Sequence, residues 1–578
     1  MKRALQNQFF WLLWGAVFFI IGMGIVEPYQ LPRALFMLSF ALGTLLLSRK
    51  NFSSRWVIPK PFLWIGVAII WSMISIGWAY NPVESFWTLF LYLVPVLSIL
   101  VVVQYGYGTG ETSKWAAYLA WTYVILVGVI LMLNGIRYGW TNQDLYRIHY
   151  PAGHKSMIAA VLIGWFPFVL KAPLSRRIKQ SWVLVALVLI LFLQSRAAFL
   201  ALIASGSILL FHQPFNWKTY RKLWVVPVMA LLIWWVNPGR IRLRVHPAYI
   251  LQSPTAVDRM VMWEKTYYLI REKPILGYGL GQWKLQWPAL GIPANQYYAD
   301  KDEEIVWTHA HNDWLETGSE LGIPGMVWLF LFLAAIWYYS GFLRPAQKAT
   351  TRAMVGAYLM FSLFDFPRFR IDIQWIYLSW WVWSLRSAPK SNFTIAVNKL
   401  AWTGVAGILV LMVTYGLARS IAERQVEDLW QARSANHPDK ILSITGHIPK
   451  RILNLDDTSI PIDWYAGMAY LTKGKQADAM HNFKRAIKTH LNQHNAWNNM
   501  GVLYFEQNQL DSAITCFSHA KKIAPYRWAY TKNLASAYAA TGQYREALNL
   551  LDDWPDDQEE KEDLRQKIMG YLNGEITH

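Results

Sequence analysis

The sequence predicts an all-α protein: a polytopic membrane bundle of about 12–13 transmembrane helices with a large extracytoplasmic loop, followed by a solenoid of short helical repeats. Three observations lead there. Of the 578 residues, 54% are hydrophobic and only 16% charged, with 33 tryptophans. Apolar runs near the ~20 residues that cross a bilayer recur as far as about residue 418. Beyond about residue 460 the chain turns polar and repeats itself every 34 residues. This organisation divides into a membrane domain over 1–420, a helical lead-in over 421–458 and a repeat domain over 459–578.

The apolar runs fall at roughly 9–26, 31–48, 61–78, 85–103, 115–133, 156–172, 181–194, 197–212, 223–236, 323–341, 350–365, 371–386 and 400–418. The first follows Lys2 and Arg3, is long for a signal-peptide core and lacks a clear small-residue cleavage site, so it reads as an uncleaved span. Basic residues settle in alternate loops: Arg49, Lys50, Arg55 and Lys60, then Lys114, then Lys171, Arg176, Arg177 and Lys179. The series continues with Lys218, Arg221 and Lys222, with Arg344, Lys348 and Arg352, and with Arg386, Lys390 and Lys399. Positive charge marks cytoplasmic loops. The N-terminus is therefore expected in the cytoplasm, and residues 134–155, the loop 237–322 and the C-terminal domain outside it. The same placement argues that the net charge of +19 reports topology and not nucleic-acid binding. A single cysteine, Cys516, excludes an internal disulfide and a CxxC metal site.

The loop 237–322 exceeds the ~15 residues of a simple connector, which marks it as functional. Its segment "DRMVMWEKTYYLI" has apolar residues at helical spacing, and Arg259 and Trp263, four apart, share a face. In the C-terminal region Gly467, Tyr470, Ala479, Phe483 and Ala486 are followed by Gly501, Tyr504, Ala513, Phe517 and Ala520, then by Ala535, Tyr538, Ala547 and Leu551. The pattern resembles tetratricopeptide repeats, in which small residues sit where paired helices touch.

Several polar groups lie at the outer ends of the apolar runs. Arg196 must either snorkel to headgroups or face a polar site, since lipid does not accept its charge. Arg259 is either a solvated helix residue or an anion clamp. His154 and Lys155 open the sixth run, where a lysine at a helix start attracts phosphate, although the glycine spacing of a nucleotide loop is missing. The run "GYGLGQW" has no βαβ context and reads as a turn that lets backbones approach closely. In "WTHAHNDWLETGSELGIPG", His309 and His311 with Asp313, Glu316 and Glu320 fit a weak metal site, a general base or an interfacial polar cluster.

Four stretches in order are "SRAAF" at Ser195–Phe199, "DRMVMW" at Asp258–Trp263, "PILGYGLG" at Pro274–Gly281 and "HAHNDWLETGSELGIPG" at His309–Gly325. Together they resemble the bacterial O-antigen ligase superfamily, which includes O-antigen polymerases and protein O-oligosaccharyltransferases. The resemblance covers roughly 1–420. It implies a metal-independent, inverting glycosyltransferase with no cofactor, located in the bacterial inner membrane with its active-site loop in the periplasm. The implied partners are an undecaprenyl-diphosphate-linked glycan donor, lipid A-core or another acceptor, the bilayer, and a protein partner on the repeats; nucleic acid is not among them. The family's essential arginines fall on Arg196 and Arg259 and its essential histidine on His311. His154, Lys155, Trp263, His309 and Asn312 are the expected substrate-binding neighbours.

The chemistry fits those residue types. Breaking a bond between an anomeric carbon and a diphosphate develops negative charge that two arginines can stabilise. A neutral histidine can take the acceptor hydroxyl's proton. Ligation of a preassembled glycan to lipid A-core is the expected reaction. A polymerase or a protein glycosyltransferase shares this chemistry. A transporter of lipid-linked glycan is the remaining alternative, but it would place its ionisable groups near mid-bilayer.

Overall fold

The computed structural model describes residues 13–20, 30–47, 55–105, 112–138, 154–193, 195–212, 254–293, 307–554 and 559–573. The expected span at 223–236 and most of the one at 9–26 lie outside these residues. Within them the chain is helical apart from one antiparallel ribbon, β1 (Arg55–Pro59) against β2 (Asn392–Ala396), and an isolated bridge between Leu455 and Pro461. Contacts gather the chain into two bodies. One comprises 1–78, 85–280 and 309–420, the other 79–84, 281–308 and 421–578.

The first body contains α1 (Leu31–Leu47), α2 (Phe62–Ser75), α3 (Pro82–Tyr105, from Ser85 on), α4 (Thr112–Tyr138), α5 (Lys155–Lys171), α6 (Arg176–Leu193), α7 (Arg196–Phe211), α8 (Pro254–Glu272), α9 (Asp313–Tyr339), α10 (Pro345–Phe364) and α11 (Ile371–Arg386). It also holds the start of α12 (Lys399–Ser434), up to Ser420. Among the described residues four helices are long and apolar enough to cross a membrane: Pro82–Gln104, Lys114–Arg137, Asp313–Phe342 and Lys399–Ser434. Leu31–Leu47, Phe62–Trp78 and Arg196–Phe211 are shorter apolar helices. Many tryptophans pack inside this body. Trp165, Trp375, Trp380 and Trp381 are fully buried, and Trp14 meets Trp165 edge-on at 5.3 Å between ring centres. One buried ion pair, Arg33 Nη1 to Asp372 Oδ2 at 2.7 Å, ties α1 to α11.

The Gly-Ile-Pro-Gly sequence at the start of the tenth apolar run is part of a helix. α9 starts at Asp313 and runs through the Gly-Ile-Pro-Gly sequence with a single break at Gly322 (φ 70°, ψ −177°). A break inside an apolar bundle leaves backbone groups that must find partners. Pro324 has no N–H to give. The "PILGYGLG" segment supplies what is missing. Tyr278 N donates to Ser319 O (2.9 Å), Gly279 N donates to Glu320 O (2.8 Å), and Ile323 N donates to Pro274 O (2.7 Å). Trp71 of α2 donates its indole N–H to Leu321 O at 3.0 Å. The two backbones touch so closely that a Cβ on Gly322 would lie 2.1 Å from Ile275 O, and one on Gly277 2.3 Å from Glu320 O. The two glycine motifs are thus halves of one joint.

The second body carries the repeats: α13 (Pro438–His447), α14 (Ile462–Thr472), α15 (Gln476–Thr489), α16 (His494–Glu506), α17 (Leu510–Ile523), α18 (Trp528–Ala540), α19 (Tyr544–Asp552) and α20 (Glu559–Leu572). The repeat chemistry is visible in the packing. A Cβ on Gly467 would meet Phe483 at 2.5 Å, and one on Gly501 would meet Phe517 at 2.6 Å. The third repeat has Ala535 and Leu551 at these positions, a smaller partner that leaves room for the methyl group. Gly474, Asn508 and Gly542, each 34 residues apart, hold left-handed φ values of 70°, 57° and 79°. There the next residue's N–H closes the preceding helix, as in Gln509 N to Tyr504 O at 2.8 Å.

Gly322→Ala is expected to destabilise the protein by at least the ~1–3 kcal/mol of a strained left-handed residue, with the clash at Ile275 added. Gly43→Ala provides the control substitution, because a methyl group there would meet nothing within 4 Å. Thermal unfolding in detergent should separate the two variants, and equal midpoints would remove the joint's importance.

Candidate functional site

The His309–Asn312 segment approaches α9 as a bend that is fastened on every side. Asn312 is the N-cap of α9, and its side-chain oxygen accepts from Trp314 N and Leu315 N, both at 3.0 Å. Glu316, one turn into the helix, reaches back to Ala310 N (2.8 Å) and to His309 Nδ1 (3.1 Å). Trp263 of α8 donates its indole N–H to Ala310 O at 2.9 Å. His309 lies flat on Phe366, 4.4 Å between ring centres, and also meets Phe369 at 4.3 Å. Asn312 Oδ1, Trp263 Nε1 and His309 Nδ1 therefore hold the segment's shape.

His311 differs from its neighbours. Its backbone is left-handed (φ 50°), rare for a non-glycine residue and a mark of imposed geometry. Its Nδ1 lies 3.3 Å from Asp365 Oδ1, and its ring is edge-on to Phe366 at 5.0 Å. With Nδ1–H toward a carboxylate, Nε2 of the neutral ring is the acceptor nitrogen. The His311 side chain remains 35% exposed while Asp365 is 3% exposed, so the pair has a buried end and an open end.

Asp365 caps the C-terminus of α10, the end of a helix that disfavours negative charge. Burial also pushes its carboxyl upward. The hydrogen bond and charge of His311, then the charges of Arg259 and His154, outweigh burial and hold it below the usual carboxylate range. Three residues expected from sequence thus act on one carboxylate. Arg259 stands on α8, one turn before the Trp263 anchor on the same face, near enough for its charge to act on Asp365. His154 is the N-cap of α5, its Nδ1 accepting from Ser156 N at 3.3 Å, with Lys155 in the first turn behind it.

Arg196 arrives from a different element. It is exposed at the first position of α7, behind the N-cap Ser195 whose hydroxyl accepts from Ala198 N at 3.3 Å. α7 and α10 pack along their length. Arg352 Nη1 meets His212 Nε2 at 3.1 Å, and a Cβ on Gly356 would meet Ile208 at 2.5 Å. That register makes the helices antiparallel. Arg196, about four turns before His212, and Asp365, just past the last turn of α10, therefore lie at the same end of the pair.

Beneath the segment is a buried charge cluster that the sequence alone does not reveal. Asp313 and Glu320 lie on one face of α9, and both face Arg368. Arg368 N donates to Asp313 Oδ2 at 2.9 Å, and its Nη2 meets Glu320 Oε2 at 3.4 Å. Its guanidinium also lies over the Tyr92 ring, 5.1 Å from the centre. Burial opposes the charge on Arg368, but Tyr92 and the carboxylates of Glu320, Asp313 and Glu316 hold its proton more firmly than usual. Asp365, Phe366 and Arg368 all come from "FDFPRFR", the connection between two apolar helices. One signal for it exists in the sequence: two arginines in a short loop on the side where the charge pattern expects few. Among the described residues no three His, Cys, Asp or Glu side chains are gathered in a way that could hold a metal ion.

Residues 182–330 match the O-antigen ligase family model, and residues 494–526 match the tetratricopeptide repeat. Arg196, Arg259, His309 and His311 all lie inside the first match; Asp365 lies beyond it. A Rickettsia conorii protein, provisionally named a polysaccharide ligase, is 22% identical over 333 residues, covering 54% of this chain and 75% of its own. Among solved structures, a chain of the crystal structure of the APC/C hetero-tetramer Cut9-Hcn1 aligns over 93% of this chain and 90% of its own. At 10% identity and a TM-score of 0.23 it carries no argument.

With its folded pKa depressed, Asp365 contributes fully to stability above the ordinary carboxylate value and loses that contribution as pH falls through the lower folded one. Asp365→Asn should lose that part of the acid dependence, as read by thermal unfolding in detergent across acid pH. An unchanged acid dependence would break the pairing.

Proposed function

We propose, from the match of residues 182–330 to the O-antigen ligase family model, that the chain transfers a glycan from an undecaprenyl-diphosphate carrier to an acceptor hydroxyl at the outer face of the bacterial inner membrane, the acceptor being lipid A-core. The observation that carries this reading is the His311–Asp365 pair, a base with a buried orienting carboxylate and an open nitrogen. The acceptor O–H gives its proton to His311 Nε2 as its oxygen attacks the anomeric carbon. The bond from that carbon to the diphosphate breaks, and the electron pair leaves with the diphosphate. Asp365 stabilises the imidazolium that results. Arg259 and Arg196 meet the charge on the leaving group, with Lys155 as a further cation at the start of α5. The diphosphate bond itself supplies the driving force, so the transfer takes no nucleotide and, in this reading, no metal.

The outer-face topology is supported by two features. Basic residues alternate between loops as the positive-inside rule requires. In addition, segments 79–84 and 281–308, both placed outside the cytoplasm by that alternation, fold into the same body as the repeats, which supports a periplasmic C-terminus. The ligase reading is preferred to the polymerase because the matched relative is named a polysaccharide ligase.

A deletion strain distinguishes the reactions. Loss of a ligase leaves long glycans on the carrier and none on lipid A-core, whereas loss of a polymerase leaves single repeat units and loss of a protein glycosyltransferase leaves unglycosylated protein. Complementation with His311→Ala should restore transfer roughly 10²- to 10⁴-fold less well than the parent chain, at equal protein level. Arg196→Ala and Arg259→Ala should each cost roughly 10²-fold or more. An unchanged glycan profile in the deletion strain, or full transfer by His311→Ala, would overturn the proposal.

A further inference from the structure

The end of the first body opposite His311 is built from cations without carboxylates. α9 leads there, 27 residues from Asp313 to Tyr339, or about 40 Å at the helical rise. Three segments meet at that end: 165–182, 337–352 and 383–399. They contain Lys171, Arg176, Arg344, Lys348 and Lys390 among other cations, and no Asp or Glu. Side chains join the segments. Gln347 Nε2 donates to Ser384 O at 3.3 Å, and Ser391 Oγ donates to Tyr339 O at 3.1 Å. Lys171 Nζ stands 3.7 Å above the centre of the Trp383 ring.

Some of these cations are already used. Lys179 Nζ donates to Leu170 O at 2.8 Å, and Arg386 donates to Val103 O. Lys171 and Arg344 differ. Among the described residues neither side chain has a carboxylate or a hydrogen-bond partner. They also stand near enough for the charge of Arg344 to act on Lys171. Two like charges held together repel, so an anion between them is favoured. The indole face attracts the lysine ammonium without accepting its hydrogen bonds, which leaves its N–H groups to an oxygen from outside.

The surroundings select the kind of anion. Leu170, Ile178, Tyr338 and Phe342 are exposed apolar side chains on the same segments. Lys390 lies 5.8 Å from the centre of the Phe342 ring, and Lys60 lies 5.5 Å from that of Tyr339. A soluble anion gains nothing from exposed apolar groups. A lipid gains from both, with its phosphate on the cations and its chains along the apolar side chains.

We propose that Lys171 and Arg344, with Trp383 beneath the lysine, bind the headgroup phosphate of an acidic phospholipid at the end of the body opposite the histidine bend. Loop cations that only set topology act through their number near the membrane. This pair acts through its place, so moving the same charge elsewhere does not replace it. The site is independent of the transferase reading and stands whichever reaction the chain performs.

The test uses the full-length protein in neutral detergent. It is titrated with short-chain phosphatidylglycerol, short-chain phosphatidylcholine or inorganic phosphate, and retained lipid is counted by native mass spectrometry. Phosphatidylglycerol should be held more tightly than phosphatidylcholine. Lys171→Gln combined with Arg344→Gln should weaken its retention roughly twentyfold, the effect of two cations at a lipid surface. Lys399→Gln, which removes a charge outside the pair, should leave retention unchanged. Arg344→Gln alone should shift it in the same direction as the double variant, and it serves as the test should the double variant not fold. Equal retention of the two lipids, or retention unaffected by loss of the pair, would overturn the proposal. Displacement of phosphatidylglycerol by an equal amount of inorganic phosphate would overturn it too, by showing a phosphate site without lipid selectivity.

Discussion

The break in α9 at Gly322 is the constraint on which the rest of the first body depends. An apolar bundle offers no water to an interrupted helix, so its freed carbonyls must be answered by protein. Ser319, Glu320 and Leu321 are answered by Tyr278, Gly279 and Trp71. The answer requires backbone contact closer than any side chain permits, which is why Gly277 and Gly322 face one another across the joint. Because the joint fixes the first half of α9, it also fixes where Asn312 can cap that helix and where the histidine bend begins. The "PILGYGLG" stretch acts on the site at one remove, through the direction of a helix.

That first half of α9 carries more negative charge than a buried surface ordinarily accepts. Asp313, Glu316 and Glu320 are all within 1% of full burial. Unpaired charges there would cost several kcal/mol each. Arg368 answers Asp313 and Glu320, while Glu316 is divided between a backbone amide and His309. The cluster thus locks these three carboxylates, and it explains why they surround the site without joining the proposed chemistry. By contrast, His311 has one ring nitrogen on Asp365 and presents the other toward the open end. The distinction between the two histidines follows from their partners: His309 lies between a carboxylate and two phenyl rings, and His311 stands at the edge of one.

Much of the architecture is legible in the sequence because it rests on local periodicity. Helical spacing places α8 and puts Arg259 and Trp263 on one face. The 34-residue period places the repeats, and in the structure the left-handed residues Gly474, Asn508 and Gly542 follow the same period. What escapes depends on distant pairing. Asp365 meets His311 across 54 residues, and Arg368 meets Asp313 across 55. No spacing rule links them, and only the anomalous charge of "FDFPRFR" marks the place. Gly and Pro usually end helices, and only the tertiary partners let α9 continue past Gly322. The association of 281–293 with the repeats lies still further out of reach, since it joins turns more than two hundred residues away.

The two bodies also divide the polar atoms of the outer segments in an informative way. Residue 280 ends the part of the loop that completes α9, with Leu280 N bonded to Ser75 and its carbonyl to Ser85. Residue 282 begins the part committed to the repeats, through Asn81. Only Gly281, with φ 72°, stands between these commitments. A glycine there can reverse the backbone without strain, whereas a side chain would favour one direction.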